Sequence, residues 1–97
     1  MEIRNKVEKI IFDTIEEVNN QLNIKMEKSL STRIIGGDSQ LDSMGVFTFI
    51  LELENLFELE FNKQISLINN DFLEKKSEHL NDIKLLQNYL INILIEE

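Results

Sequence analysis

Gly36-Gly37-Asp38-Ser39-Gln40-Leu41-Asp42-Ser43-Met44-Gly45, followed by Val46-Phe47-Thr48-Phe49-Ile50-Leu51-Glu52-Leu53-Glu54, contains all three glycines of a chain that has no proline. Strong backbone punctuation is therefore confined to this one place, and a new element should start directly behind it. Asp42 is a candidate helix N-cap, because a carboxylate there can accept from the unpaired backbone N–H groups of the first turn. With Ser43 set to zero and roughly 100° per residue, Val46, Phe49, Ile50, Leu53, Leu56 and Phe57 fall in one arc of roughly 220° to 340°. Such an arc is a core-facing stripe, and it predicts a helix over about residues 43–59.

The same wheel carries a second apolar stripe. Met44, Phe47 and Leu51 lie between roughly 40° and 100°, with Glu54 and Glu58 on the same side and Ser43 between the two stripes. Two readings stand side by side. The preceding loop folds over these residues as ordinary apolar burial, or they form a docking strip for another protein. The charge pattern suits the second reading. From Asp38 to Glu60 there are six acidic residues, Asp38, Asp42, Glu52, Glu54, Glu58 and Glu60, and no Lys or Arg. A basic partner would be steered to such a surface and held by its apolar strip.

Upstream, Ile3, Val7, Ile10, Ile11, Thr14, Ile15, Val18 and Leu22 recur at steps of three and four, which predicts an amphipathic helix over about 3–20. The period fades over about 21–42, a long loop whose apolar residues Ile24, Met26, Leu30, Ile34, Ile35 and Leu41 suggest that it packs. Downstream, Ile83, Leu86, Leu90, Ile93 and Leu94 mark a last helix over about 81–95, capped by Asn81 or Asp82. Between the two, Ile65 and Leu67 read as an extended stretch, Asn69-Asn70-Asp71 as a turn, and about 71–76 as a short helix. The expected fold is an all-α bundle of three long helices plus one short one, in a single domain over 1–97.

Composition narrows the function. The chain has 97 residues, 42% hydrophobic and 29% charged, enough for one core but not for a core around an enclosed active site. A formal charge of −8 opposes nucleic-acid phosphates and anionic lipid. Without cysteine there is no disulfide framework, thiolate chemistry or Cys-based metal site. Met1-Glu2-Ile3-Arg4-Asn5-Lys6 lacks the apolar run that a secretory signal carries, and Leu85 to Ile95 is too short for a membrane span. A monomeric, cytoplasmic protein without membrane insertion is expected.

The segment Gly36 to Gly45, with the apolar helix behind it, resembles the phosphopantetheine attachment region of acyl carrier proteins. The likeness extends along almost the whole chain: a helix before the segment, Phe57 and Phe61 closing the central helix, Ile65, and Ile83-Lys84-Leu85-Leu86-Gln87-Asn88-Tyr89-Leu90 in the last one. It implies an acyl-carrier-like bundle with 4′-phosphopantetheine, taken from coenzyme A, attached to Ser43 by a separate phosphopantetheinyl transferase. It gives Asp42 a place in the recognition motif beside its capping role. The terminal thiol of the arm would hold acyl or aminoacyl groups as thioesters, so the reactive chemistry belongs to the cofactor and to partner enzymes. Those partners are an acyl- or aminoacyl-loading enzyme and an acyltransferase or synthase with a basic surface, meeting Met44, Phe47, Leu51, Glu54 and Glu58. The chain departs from the family pattern at Met44, where leucine is usual, at Gly45, which weakens a helix by up to about 1 kcal/mol relative to alanine, and at Asn81-Asp82, where threonine is common. Leu-Asp-Ser-Met-Gly is closer to specialised carriers than to housekeeping fatty acid carriers.

Other constellations are weaker. Asp38, Gln40 and Asp42 mimic the start of a calcium loop, but the sixth position is Ser43 rather than glycine and the twelfth Phe49 rather than glutamate. His79, the single histidine, has no identifiable metal or triad partner. Ser43 lacks the Gly-x-Ser-x-Gly turn and a nearby base, so a hydrolase is not expected. The remaining alternative to a carrier is an acidic helical adaptor that binds a partner through the central helix and never receives a prosthetic group.

Overall fold

The computed structural model describes residues 2–35, 39–65 and 81–95, and within them the protein is all-helical. Three helices follow in order: α1 (Glu2–Leu22), α2 (Ser43–Phe61) and α3 (Ile83–Ile95). The short helix expected over 71–76, the turn Asn69–Asp71 and His79 lie outside the described residues. So do Gly36, Gly37 and Asp38.

α1 is the element against which both α2 and α3 pack. Its stripe Val7, Ile10, Ile11, Ile15 and Val18 meets Val46, Phe49, Ile50, Leu53 and Phe57 of α2 and Ile83, Leu86, Leu90 and Ile91 of α3 in one core. The α2 contribution matches the predicted arc except for Leu56, which is only partly buried. Phe57 and Phe61 stack at a tilt of 47° with centroids 4.8 Å apart, a favourable aromatic geometry that closes the end of α2. Leu22, assigned by its spacing to the α1 stripe, is 38% exposed. The helix stops there: Asn23 turns left-handed (φ 56°) and the Ile24 N–H donates to the Asn19 carbonyl at 3.1 Å, a Schellman closure in which Asn replaces the usual glycine.

α1 and α2 each run two residues past their expected ends, while α3 ends where expected. α2 continues to Phe61 before Asn62 takes the left-handed conformation (φ 53°) and donates its N–H to the Glu58 carbonyl. α3 begins at Ile83 rather than 81 because Asp82 is the residue whose Oδ1 accepts from Leu85 N–H at 2.9 Å.

The loop between α1 and α2 is fixed by polar side chains that close on backbone. The Asn19 amide and the Met26 peptide exchange two hydrogen bonds, Nδ2 to the Met26 carbonyl at 3.1 Å and Met26 N–H to Oδ1 at 2.8 Å. Gln40 clasps Lys25 in the same way, at 2.8 and 3.0 Å. Further along, Arg33 and Asp82 form an isolated antiparallel bridge. Ile34 N–H donates to the Asn81 carbonyl, while the Thr32 and Leu30 carbonyls accept from Ile83 and Lys84 N–H at 3.0 and 2.9 Å. Buried Met26 and Ile34 anchor the loop in the core, with Ile24, Ile35 and Leu41 packed against it. Leu30 does not join them and is 39% exposed; its carbonyl, not its side chain, is what the fold uses.

Candidate functional site

Ser43 is the first residue of α2 and is exposed. Asp42 before it has an extended backbone (φ −85°, ψ −172°), and its Oδ1 accepts from Gly45 N–H at 2.8 Å. The carboxylate is thereby spent on the third N–H of the helix, as an N-cap does. The Asp42 carbonyl takes the Val46 N–H at 2.9 Å. Among the described residues, the Ser43 and Met44 N–H groups have no hydrogen-bond partner. The Ser43 hydroxyl therefore stands beside two unshared amides at the positive end of a 19-residue helix, surroundings that favour a phosphate ester by about 0.3 to 1 kcal/mol. The residues present fit a phosphodiester on the serine oxygen.

Gly45 is buried, although it belongs to the first turn of a surface helix. A Cβ at this position would come 3.0 Å from Leu41 Cδ2, 3.3 Å from Leu41 Cβ and 3.3 Å from Asp42 Oδ1. The glycine that the sequence presents as a weak point in the helix is the place where the preceding loop closes on it.

The strip Met44, Phe47 and Leu51 is exposed, at 74%, 38% and 57%. Met44 and Leu51 are thus largely uncovered, against the first of the two readings, while Phe47 is more than half covered. Leu51, Glu54 and Glu58 line an open groove of about 550 Å³ together with Asn55, Gln64 and Ile65. Met44 and Phe47 lie nearer the start of α2, outside that lining. The site thus has two parts on one helix: the serine with its apolar neighbours at the N-terminal end, and an acid-edged groove two to four turns along.

Periodicity gives no sign of Asn55, Gln64 and Ile65 as groove residues, nor of Leu41 as the partner of Gly45. Each depends on how the chain leaves or enters α2. Among the described residues no group of three or more His, Cys, Asp or Glu side chains is placed to hold a metal ion, and no helix is long and apolar enough to cross a membrane. No family model matches the chain, and neither a curated protein nor a solved structure does so.

Proposed function

We propose that the chain is an acyl carrier protein, with 4′-phosphopantetheine attached to Ser43, and that it carries acyl or aminoacyl groups to partner enzymes without catalysing a reaction itself. The observation that carries this reading is the exposed Ser43 at the start of α2, capped by Asp42 and flanked by unshared amides. An adaptor would use the strip and the acids equally well, but it has no need of a hydroxyl at that point.

In the attachment step the Ser43 hydroxyl loses its proton and its oxygen takes the phosphopantetheinyl group of coenzyme A. The pyrophosphate bond breaks, adenosine 3′,5′-bisphosphate leaves with the bonding electron pair, and the serine proton is released to solvent. Asp42 holds the first turn in place through Gly45, and the Ser43 and Met44 amides, unpartnered among the described residues, would hold the phosphate. When bound, the group supplies a terminal thiol for thioester formation. Met44, Phe47, Leu51, Glu54 and Glu58 meet the phosphopantetheinyl transferase, the loading enzyme and the acyltransferase or synthase, all through basic surfaces. The protein works as a cytoplasmic monomer, and a specialised pathway suits its motif better than housekeeping fatty acid synthesis.

Incubation with coenzyme A and a broad-range phosphopantetheinyl transferase, followed by intact mass measurement, tests the proposal. A gain of one phosphopantetheinyl group is expected, and none in Ser43→Ala. No gain in the unaltered chain, or an equal gain in the variant, overturns it.

A further inference from the structure

A glycine inside a helix ordinarily costs about 1 kcal/mol relative to alanine, so its presence in the first turn of α2 calls for a local cause. Gly45 is not in a left-handed conformation, and the cause is space: Leu41 and Asp42 both close on its bare Cα. Leu41 is held from the other side. Its N–H donates to Ser39 Oγ at 3.1 Å, and that hydroxyl in turn donates to the Ile34 carbonyl at 2.7 Å. The Leu41 side chain packs against the core. A methyl group at position 45 would meet Leu41 from one side and the capping Oδ1 of Asp42 from another. The distal Cδ2 of Leu41 can swing away, but its Cβ is fixed by the backbone and Oδ1 by the hydrogen bond to Gly45 N–H itself.

Leu41 and Asp42 are the two residues that lead into Ser43. Any shift of that dipeptide turns the serine hydroxyl relative to the axis of α2. We infer that Gly45 and Leu41 are positioning residues for the modification of Ser43: the missing Cβ lets Leu41 and the Asp42 cap seat together, and this seating sets the direction in which the hydroxyl leaves the helix. The inference rests on the carrier reading of Ser43 and deepens it. Neither residue touches the reacting atoms. Their effect passes through the geometry of Asp42, where small displacements of a reacting group carry large rate penalties.

The test compares the unaltered chain, Gly45→Ala, Leu41→Val and the double variant in transferase-catalysed modification, with product measured by intact mass and thermal unfolding recorded in parallel. Gly45→Ala is expected to lower kcat/KM for Ser43 modification about tenfold while remaining folded, with the loss in kcat rather than in KM. Leu41→Val removes the Cδ2 that stands 3.0 Å from the new methyl, so the double variant should recover most of the rate. A purely structural role would move the unfolding temperature and leave kcat alone. Modification of Gly45→Ala at the unaltered rate, or a double variant no faster than Gly45→Ala, overturns the positioning inference and leaves the carrier reading standing. An unaltered chain that is not modified at all overturns the carrier reading and this inference with it.

Discussion

Replacing Asn19 by alanine should loosen the loop that leads to Ser43, and the structure sets the size of the effect. The substitution removes both hydrogen bonds between the Asn19 amide and the Met26 peptide. Met26 is buried at 5% exposure, so its N–H and carbonyl find poor replacement by water. Each unpartnered buried group costs about 1–3 kcal/mol, and relaxation of an exposed loop favours the low end. Against this, alanine gains up to about 0.7 kcal/mol over asparagine in a helix. Asn20→Ala, one residue on at an exposed position, carries the same propensity gain without the clasp. The difference between the two variants should then be about 2 kcal/mol, or a fall in Tm of about 10 °C for a domain of this size. Urea unfolding followed by far-ultraviolet circular dichroism measures it, and an unchanged denaturant slope would show that the native state is what moved. If Asn19→Ala and Asn20→Ala agree within about 0.5 kcal/mol, the clasp does not anchor the loop and the reasoning is wrong.

Other perturbations reach different parts of the molecule. Phe49→Ala, at the centre of the shared core with no exposed surface, should cost about 3–5 kcal/mol in the same unfolding measurement. Asp42→Ala removes the cap on Gly45 N–H and should cost about 1 kcal/mol, with faster exchange of the Gly45 amide by NMR as the local readout. Met44→Ser and Leu51→Ser, at exposed positions, should shift stability by no more than about 0.5 kcal/mol while weakening binding to a basic partner, seen by calorimetry. The hydrogen bond from Lys9 to Asp13, and then their mutual attraction, raise the lysine pKa above its ordinary 10.5. A raised lysine contributes its stability fully below that ordinary value and loses it as pH rises through the folded-state pKa. Asp13→Asn should bring Lys9 back to its ordinary value in an NMR titration.

What the sequence made legible is what repeats. Val7, Ile11, Ile15 and Val18, or Phe49, Leu53 and Phe57, announce their burial through the helical period because one face of each helix must leave water. Asp42 announces itself as a cap because the residue type and its place before an apolar run are both local. The contacts that fix the loop have no such signature. Asn19 to Met26, Gln40 to Lys25 and Arg33 to Asp82 join residues from 7 to 49 positions apart, through side-chain amides and single backbone bridges that leave no periodic trace. Gly45 shows the same limit at short range: local propensity marks it as a weakness, and only the path of Leu41 reveals why alanine would be worse.

The bridge between the loop and α3 has an electrostatic consequence. At the start of α3 the amides of Ile83, Lys84 and Leu85 are all engaged, by the Thr32 and Leu30 carbonyls and by Asp82 Oδ1. At the start of α2 the Gly45 amide is taken by Asp42 Oδ1, while those of Ser43 and Met44 have no partner among the described residues. The fold therefore insulates one positive pole and leaves the other open. An anion drifting over this strongly negative molecule meets two unshared N–H groups at the start of α2, beside the Ser43 hydroxyl, and a sealed terminus at the start of α3.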